Sequence, residues 1–197
     1  MLLDKLKQYN VVLASNSPRR RELLADLGID FKVRTIKDID ENYPHDMPAL
    51  EIAEFISQKK AQVYQRQMGE NEIVITADTV VILENEVLGK PTDTADASRM
   101  LHKLSGKIHK VVTGVTIVMQ GRMSSFSAVT DVEFAQLSDE DIDFYVDNYR
   151  PLDKAGAYGI QTWSFRFVRG IRGDYFNVVG LPVGRLARYL EGKASDI

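Results

Sequence analysis

The 197-residue chain predicts an α/β fold built on a mixed sheet flanked by helices. Three observations lead there. Strand-like and helix-like segments alternate along the length; several neighbouring strands are joined by connections too short for a crossover helix; and with 44% hydrophobic and 27% charged residues the chain can bury a sizeable core. The length allows one domain or two closely joined lobes, and with no repeat, low-complexity tract or linker-like boundary, residues 1–197 are expected to form one compact domain.

Residues 10–15 form a short apolar strand. Ser17 then has the chemistry of an N-cap and Pro18 suits the first helical position; Leu23, Leu24 and Leu27 make an inner stripe, and Gly28 ends the helix. "DFKVRTI" reads as a second strand, and the polar, proline-containing "KDIDENYPHDMP" as a loop. From 49 to about 68 the apolar residues Ile52, Phe55, Ile56 and Val63 have helical spacing.

"EIVITADTVVILENEVLGKP" predicts a hairpin turning at "ENE", followed by a helix over about 93–104. "HKVVTGVTIVMQGRMSSFSAVTDVEFAQL" predicts a longer hairpin turning near Gln120 and Gly121. Ser138 caps the helix "DEDIDFYVDNY", whose acidic first turn suits the macrodipole. Glycine-rich "DKAGAYGIQ", a hairpin turning at "RGD" and a helix over about 182–190 complete the expected order.

Composition excludes several classes. A net charge of −3 supplies no global basic field for nucleic acid or an acidic membrane surface, so any anion site must be local. The absence of cysteine excludes disulfides, thiol nucleophiles and thiolate metal sites. "MLLDKLKQYN" is charged throughout and no later segment offers the ~20 apolar residues of a membrane span, so a cytoplasmic protein is expected. His45, His102 and His109 lack ligand spacing, and "LSGKIHK" lacks the rest of a P-loop.

Two features depart from what a fold alone needs. "LASNSPRRRELL" sets Arg19, Arg20 and Arg21 at a helix N-terminus, where a cation opposes the macrodipole by roughly 0.3–1 kcal/mol. A serine turn leading into such a helix holds phosphate well, and arginines belong there if an anion is their partner; solvated side chains, or pairing with Glu22, are the plainer reading. Asp78, in "IVITADTVVIL", has apolar neighbours on both faces, and an ionised carboxylate there costs several kcal/mol unless paired or bound to metal. A buried arginine would satisfy it structurally; a functional reading makes it a metal ligand or general base.

Three further places carry weaker signals. Lys59 and Lys60 both border the inner stripe of their helix, and periodicity does not choose between them. Lys90 ends a strand before Pro91. Asp38, Asp40 and Glu41 form an acidic loop cluster suited to Mg²⁺ or Mn²⁺, or simply to solvent.

"LASNSPRRRELL", "ITADTVV", "LGKP", "LHKLSGKIHKVVTGV" and "DKAGAYGIQ" together resemble, in order and spacing, the Maf family, and the resemblance runs over about residues 11–190. "DKAGAYGIQ" resembles the subgroup acting on dTTP and UTP. The resemblance implies a nucleoside triphosphate pyrophosphatase on an inosine-triphosphatase-like fold, an elongated mixed sheet with a central cleft between two lobes. It also implies a divalent metal cofactor, Mg²⁺ or Mn²⁺, a homodimer, a house-cleaning role that extends to modified pyrimidines such as 5-methyl-UTP and pseudo-UTP, and a link to arrest of cell division.

Matched position by position, Asp78 falls on the family's catalytic acid. Arg19, Thr79 and Gln161 fall on its specificity positions, and Ser15, Arg20, Lys60 and Lys90 on its phosphate-lining residues. Asp40 aligns where relatives often carry Glu and is followed by Glu41; the shorter side chain leaves open which of the two meets metal. Arg21 and Asn16 match nothing functional.

The two lines of reasoning join in one mechanism. With a divalent cation bridging triphosphate and carboxylates, Asp78 activates a water for attack at the α-phosphorus, and Arg19, Arg20, Lys60 and Lys90 neutralise the departing pyrophosphate. The Gln161 amide pairs with the O4 and N3–H edge of uracil or thymine and rejects cytosine. The competing classes are a non-catalytic nucleotide or nucleic-acid binder regulating septum formation and a phosphatase releasing orthophosphate.

Overall fold

The protein is described here by a computed structural model covering residues 2–192. In chain order its elements are α1 (Leu2–Leu6), β1 (Asn10–Leu13), α2 (Pro18–Asp26), β2 (Phe31–Val33), α3 (Ala49–Gln65), β3 (Glu72–Leu83) and β4 (Glu86–Leu88). There follow α4 (Thr94–Leu104), β5 (Ile108–Met119), β6 (Arg122–Phe134), α5 (Asp139–Tyr149), β7 (Val168–Arg172), α6 (Tyr175–Val179) and α7 (Val183–Leu190), with 3₁₀ turns at Ala155–Ala157 and Trp163–Phe167.

The strands form one sheet in the order β2-β1-β3-β5-β6-β7, with β4 beside β3. β1 is parallel to both β2 and β3, whereas β4 on β3 and β7 on β6 are antiparallel, which is the expected mixed α/β sheet. Parallel pairing of β1 and β2 follows from α2 crossing over between them. The β5–β6 connection turns at Gln120 and Gly121, whose φ of 50° and 74° are those a two-residue hairpin turn requires.

Two expectations need correction. The strand read from "DFKVRTI" ends at Val33, because beyond it Ile36 leaves the ladder to pack against core residues and its N–H donates to Tyr64 Oη (2.7 Å). "RGD" does not turn a hairpin: β7 ends at Arg172, and Asp174 Oδ1 accepts from the Phe176 N–H (2.8 Å), a side-chain turn that starts α6 instead of a second strand.

The chain divides into two compact units. One comprises residues 2–78, 113–128 and 180–192 of the described chain; the other comprises 79–112 and 129–179. In the first, Val12, Ala14, Ala61, Tyr64, Val74 and Val118 form a core cluster onto which Ile36, Ile39, Met68 and Met123 pack. α3 lies directly on β5 at Gly114, where a Cβ would stand 2.3 Å from Glu54 N and 2.4 Å from the Ala53 carbonyl carbon. Only a glycine admits that approach.

The second unit is built on aromatic contacts. Phe134 meets His109, Tyr158 and Phe167 edge-on at 4.8, 4.8 and 5.9 Å between centroids, and Tyr145 from α5 meets Phe167 at 5.4 Å. Gly156, at φ 67°, presses against Val81 of β3, and its N–H donates to Gly89 O (3.0 Å). The "DKAGAYGIQ" loop is thereby fixed to the residue preceding Lys90.

Candidate functional site

In the first unit, β1 delivers the chain into a turn that α2 closes. Ser17 caps α2, its Oγ accepting from the Arg20 N–H (3.4 Å), with Pro18 at the start as expected. Buried Ser15 accepts from the Ser17 N–H (3.2 Å) and from Arg20 Nη1 (3.5 Å) through its own Oγ. Arg20 also donates through Nη1 to Ala77 O (2.9 Å) and through Nε to Gly180 O (2.8 Å). One guanidinium therefore ties the serine turn, β3 and the segment before α7.

That guanidinium is costly to bury. Desolvation lowers its pKa, the Asp78 charge pulls in the opposite direction, and neighbouring Arg19 adds repulsion. Arg21 points elsewhere, its Nη2 donating to Asn16 O (3.3 Å) at an exposed position. Of the three arginines, the structure brings Arg20 against the site and takes Arg21 away from it.

The residue after Ala77 is the acid that the sequence singles out. Asp78 Oδ1 accepts from Lys60 Nζ at 2.8 Å, and the same ammonium stands 3.0 Å from Glu41 Oε1. Lys60 and Asp78 side chains retain only 14% and 15% of their exposure, so this pair is shielded from the solvent and salt that make surface ion pairs weak. Its lysine is the one that periodicity left undecided: Lys59 turns outward and donates to Asp40 Oδ2 (2.7 Å) and Asn42 O (2.8 Å).

The loop bearing the acids is pinned at its root. Arg34 donates through both terminal nitrogens to Glu72 (3.0 and 2.9 Å), and Ile36 and Ile39 pack on the core. Asp40 is exposed and paired with Lys59, whose hydrogen bond holds its carboxyl below the usual range. Glu41 instead faces Lys60. Sequence alone offered both acids equally, since the choice depends on which helix lysine each one meets.

Thr79, Lys90 and Gln161 lie in the second unit. Thr79 follows Asp78 on β3 and is half-buried; Lys90 is exposed beyond β4, and Gln161 is exposed at the end of the glycine-rich loop. Sequence reasoning missed the hydroxyls behind that loop, Tyr145, Thr162 and Ser164, and the Gly180 carbonyl that receives Arg20. No local pattern marks them, because each acquires its role through a contact distant in sequence or through a turn.

Among the described residues no group of three or more His, Asp or Glu side chains gathers as a metal centre. Two carboxylates converging on one cation, Asp78 and Glu41, nonetheless form a hard-oxygen donor set. These oxygens would suit a hard divalent cation such as Mg²⁺. No helix among the described residues is long and apolar enough to cross a membrane.

Fold and site define a mixed-sheet α/β protein whose half-buried strand carboxylate is paired with a helix lysine beside a serine–arginine turn. Residues 10–193 match the family described as Maf-like protein, and the chain belongs to that family. It is 54% identical over 186 residues to a dTTP/UTP pyrophosphatase of Phocaeicola vulgatus, covering 94% of this chain and 96% of that one. It is 50% identical over 191 residues to a dTTP/UTP pyrophosphatase of Bacteroides fragilis, covering 96% and 99%. Among solved structures, the Ham1 protein of Staphylococcus aureus superposes with a TM-score of 0.56 at 16% identity, over 93% of this chain and 99% of that one, which shows a shared fold.

Proposed function

We propose that this protein hydrolyses dTTP and UTP to the nucleoside monophosphate and pyrophosphate. The observation that carries the reading is the shielded Lys60 ammonium shared by Asp78 and Glu41, beside the Arg20-tied serine turn. Support comes from the relatives named dTTP/UTP pyrophosphatase, which match nearly the whole chain.

Asp78 takes a proton from water as its oxygen attacks the α-phosphorus; the bond from that phosphorus to the bridging oxygen breaks, and the electron pair leaves with pyrophosphate. Lys60, Arg19, Arg20 and Lys90 bind the triphosphate and meet the charge that grows on the leaving group. Glu41 with Asp78 would hold a divalent cation, Mg²⁺ or Mn²⁺, which when bound neutralises phosphate charge. Gln161 reads the pyrimidine edge, donating to O4 and accepting from N3–H, and Thr79 and Arg19 tune that choice. Modified pyrimidine nucleotides such as 5-methyl-UTP and pseudo-UTP present the same edge and belong to the same substrate class. We place the enzyme in the cytoplasm, as a homodimer.

A product assay tests this. Purified protein with Mg²⁺ or Mn²⁺ is expected to release pyrophosphate from dTTP and UTP far faster than from CTP, ATP or GTP. Orthophosphate as the first product would make it a phosphatase, and nucleotide binding without turnover would make it a binder.

A further inference from the structure

We infer that Tyr145, on α5, is a positioning residue for pyrimidine selection: its hydroxyl clamps both ends of the turn whose tip presents Gln161. The inference rests on the reading of Gln161 as the base-reading group and names what holds that group in place.

Residues 159–162 close as a turn in which the Thr162 N–H donates to Gly159 O (2.8 Å). The two residues at its tip differ: Ile160 is buried, and Gln161 is exposed. Inward burial of one and outward presentation of the other fix the amide in a single direction only if the turn itself is rigid. Tyr145 Oη supplies the rigidity from behind. It accepts from the Gly159 N–H (3.2 Å) and lies 3.1 Å from Thr162 Oγ1, so one oxygen engages the first and the last residue of the turn.

The protons assign themselves. Thr162 Oγ1 donates to Gly159 O (2.7 Å), so it has no proton left for Tyr145, and the phenol donates to Thr162 Oγ1 while accepting from Gly159. Ser164 Oγ adds a further donor to Gly159 O at 2.8 Å. The carbonyl that closes the turn thus receives three donors. The ring that carries the clamp is fully buried and cannot swing away, being stacked on Tyr149 and set edge-on to Phe167 at centroid distances of 5.3 and 5.4 Å.

A glutamine reads uracil against cytosine by the direction of one donor and one acceptor. Rotation of the turn by a fraction of an ångström weakens that discrimination without touching the groups that bind phosphate or activate water. Loss of the phenol hydroxyl therefore acts on recognition and not on the chemical step.

The test uses the full chain and the variants Tyr145→Phe, Thr162→Val, Thr162→Ser, Gln161→Ala and the Tyr145→Phe/Gln161→Ala double. Two readouts are taken: steady-state pyrophosphate release from UTP and CTP, and equilibrium binding of non-hydrolysable UTP and CTP analogues. Tyr145→Phe, which keeps the ring, is expected to lower the UTP-over-CTP preference roughly five- to tenfold through KM and binding, with kcat for UTP within about twofold. Thr162→Val should do the same and Thr162→Ser should restore the preference. The double variant should discriminate no worse than Gln161→Ala alone.

A preference unchanged within about twofold in Tyr145→Phe, an equal loss on both nucleotides, or full additivity in the double variant overturns the assignment. Analogue binding keeps this separate from the proposed activity. A wild type that selects the UTP analogue yet releases no pyrophosphate refutes the enzyme reading and leaves the clamp standing if Tyr145→Phe still weakens that selection.

Discussion

Lys60 Nζ and Asp78 Oδ1 stand 2.8 Å apart with about 85% of each side chain withdrawn from solvent, so a helix lysine and a strand acid offset one another's charge. Removing Lys60 takes away the cation that Asp78 and Glu41 share, and removing Asp78 leaves Lys60 with Glu41 alone. Asp78→Asn is expected to reduce pyrophosphate release from dTTP by about 10²–10⁴-fold, and Lys60→Met to reduce it comparably. The double variant should be little worse than the weaker single, since the two act as a unit. Rates measured alongside far-UV circular dichroism check this; near wild-type turnover by Asp78→Asn would remove that residue from the chemistry.

The two loop acids should separate cleanly. Glu41 shares Lys60 with Asp78, whereas Asp40 is engaged by Lys59 at an exposed position. Glu41→Gln is expected to raise the Mg²⁺ concentration for half-maximal activity by at least about tenfold, and Asp40→Asn to leave it within about twofold. Metal titrations of activity on the two variants decide it, and the reverse ranking would reassign the metal-facing role to Asp40.

Gly114 limits how closely α3 and β5 pack. A methyl group there meets Ala53 and Glu54 backbone atoms at 2.3–2.4 Å, and main chain cannot move aside as a side-chain tip can. Gly114→Ala should destabilise the fold by about 3 kcal/mol in urea titrations. Gly184→Ala, in α7 with nothing within 4 Å of the added carbon, is the control and should be neutral or stabilising by up to about 1 kcal/mol.

What the sequence revealed divides by the range of the forces involved. Caps and periodic apolar faces are local, so Ser17 and Ser138 as N-caps, the helix beginning at 49, which ends at Gln65 and not near 68, and the turn at Gln120 and Gly121 are legible. Asp78 stood out because a charge in an apolar run needs a partner, but the partner was hidden. Lys59 and Lys60 differ by one helical step, and only the packing of α3 decides which of them turns inward. Arg20 was legible as an oddity and not as a tie, since the carbonyl it binds at Gly180 lies 160 residues away. The "RGD" turn failed for a complementary reason: the tripeptide suits a reversal, and the Asp174 side chain directs that reversal into a helix.

His109 gives the fold a pH dependence that can be isolated. It is 1% exposed, its Nε2 lies 2.7 Å from Tyr158 Oη, and its Nδ1 has no hydrogen-bond partner among the described residues. Burial lowers its pKa from 6.5 to about 4, while burial and then Tyr145 push the Tyr158 phenol upward, so neither offers the other a charge near neutrality. The unfolded chain binds this proton from about pH 6.5 downward and the folded chain only near 4, so stability falls with acidification across that window. The loss is on the order of 3 kcal/mol once pH is well below 4, and is absent above about 7. Carboxylates such as Asp131, whose pKa Lys110 and Arg172 depress, lose stability over a lower and overlapping range and contribute equally to wild type and variant. Urea midpoints at pH 7, 6, 5 and 4.5 for wild type and His109→Gln separate the two. The variant should start less stable at pH 7 and show a shallower slope between 6.5 and 4.5, and parallel curves would mean that His109 is not the group being protonated.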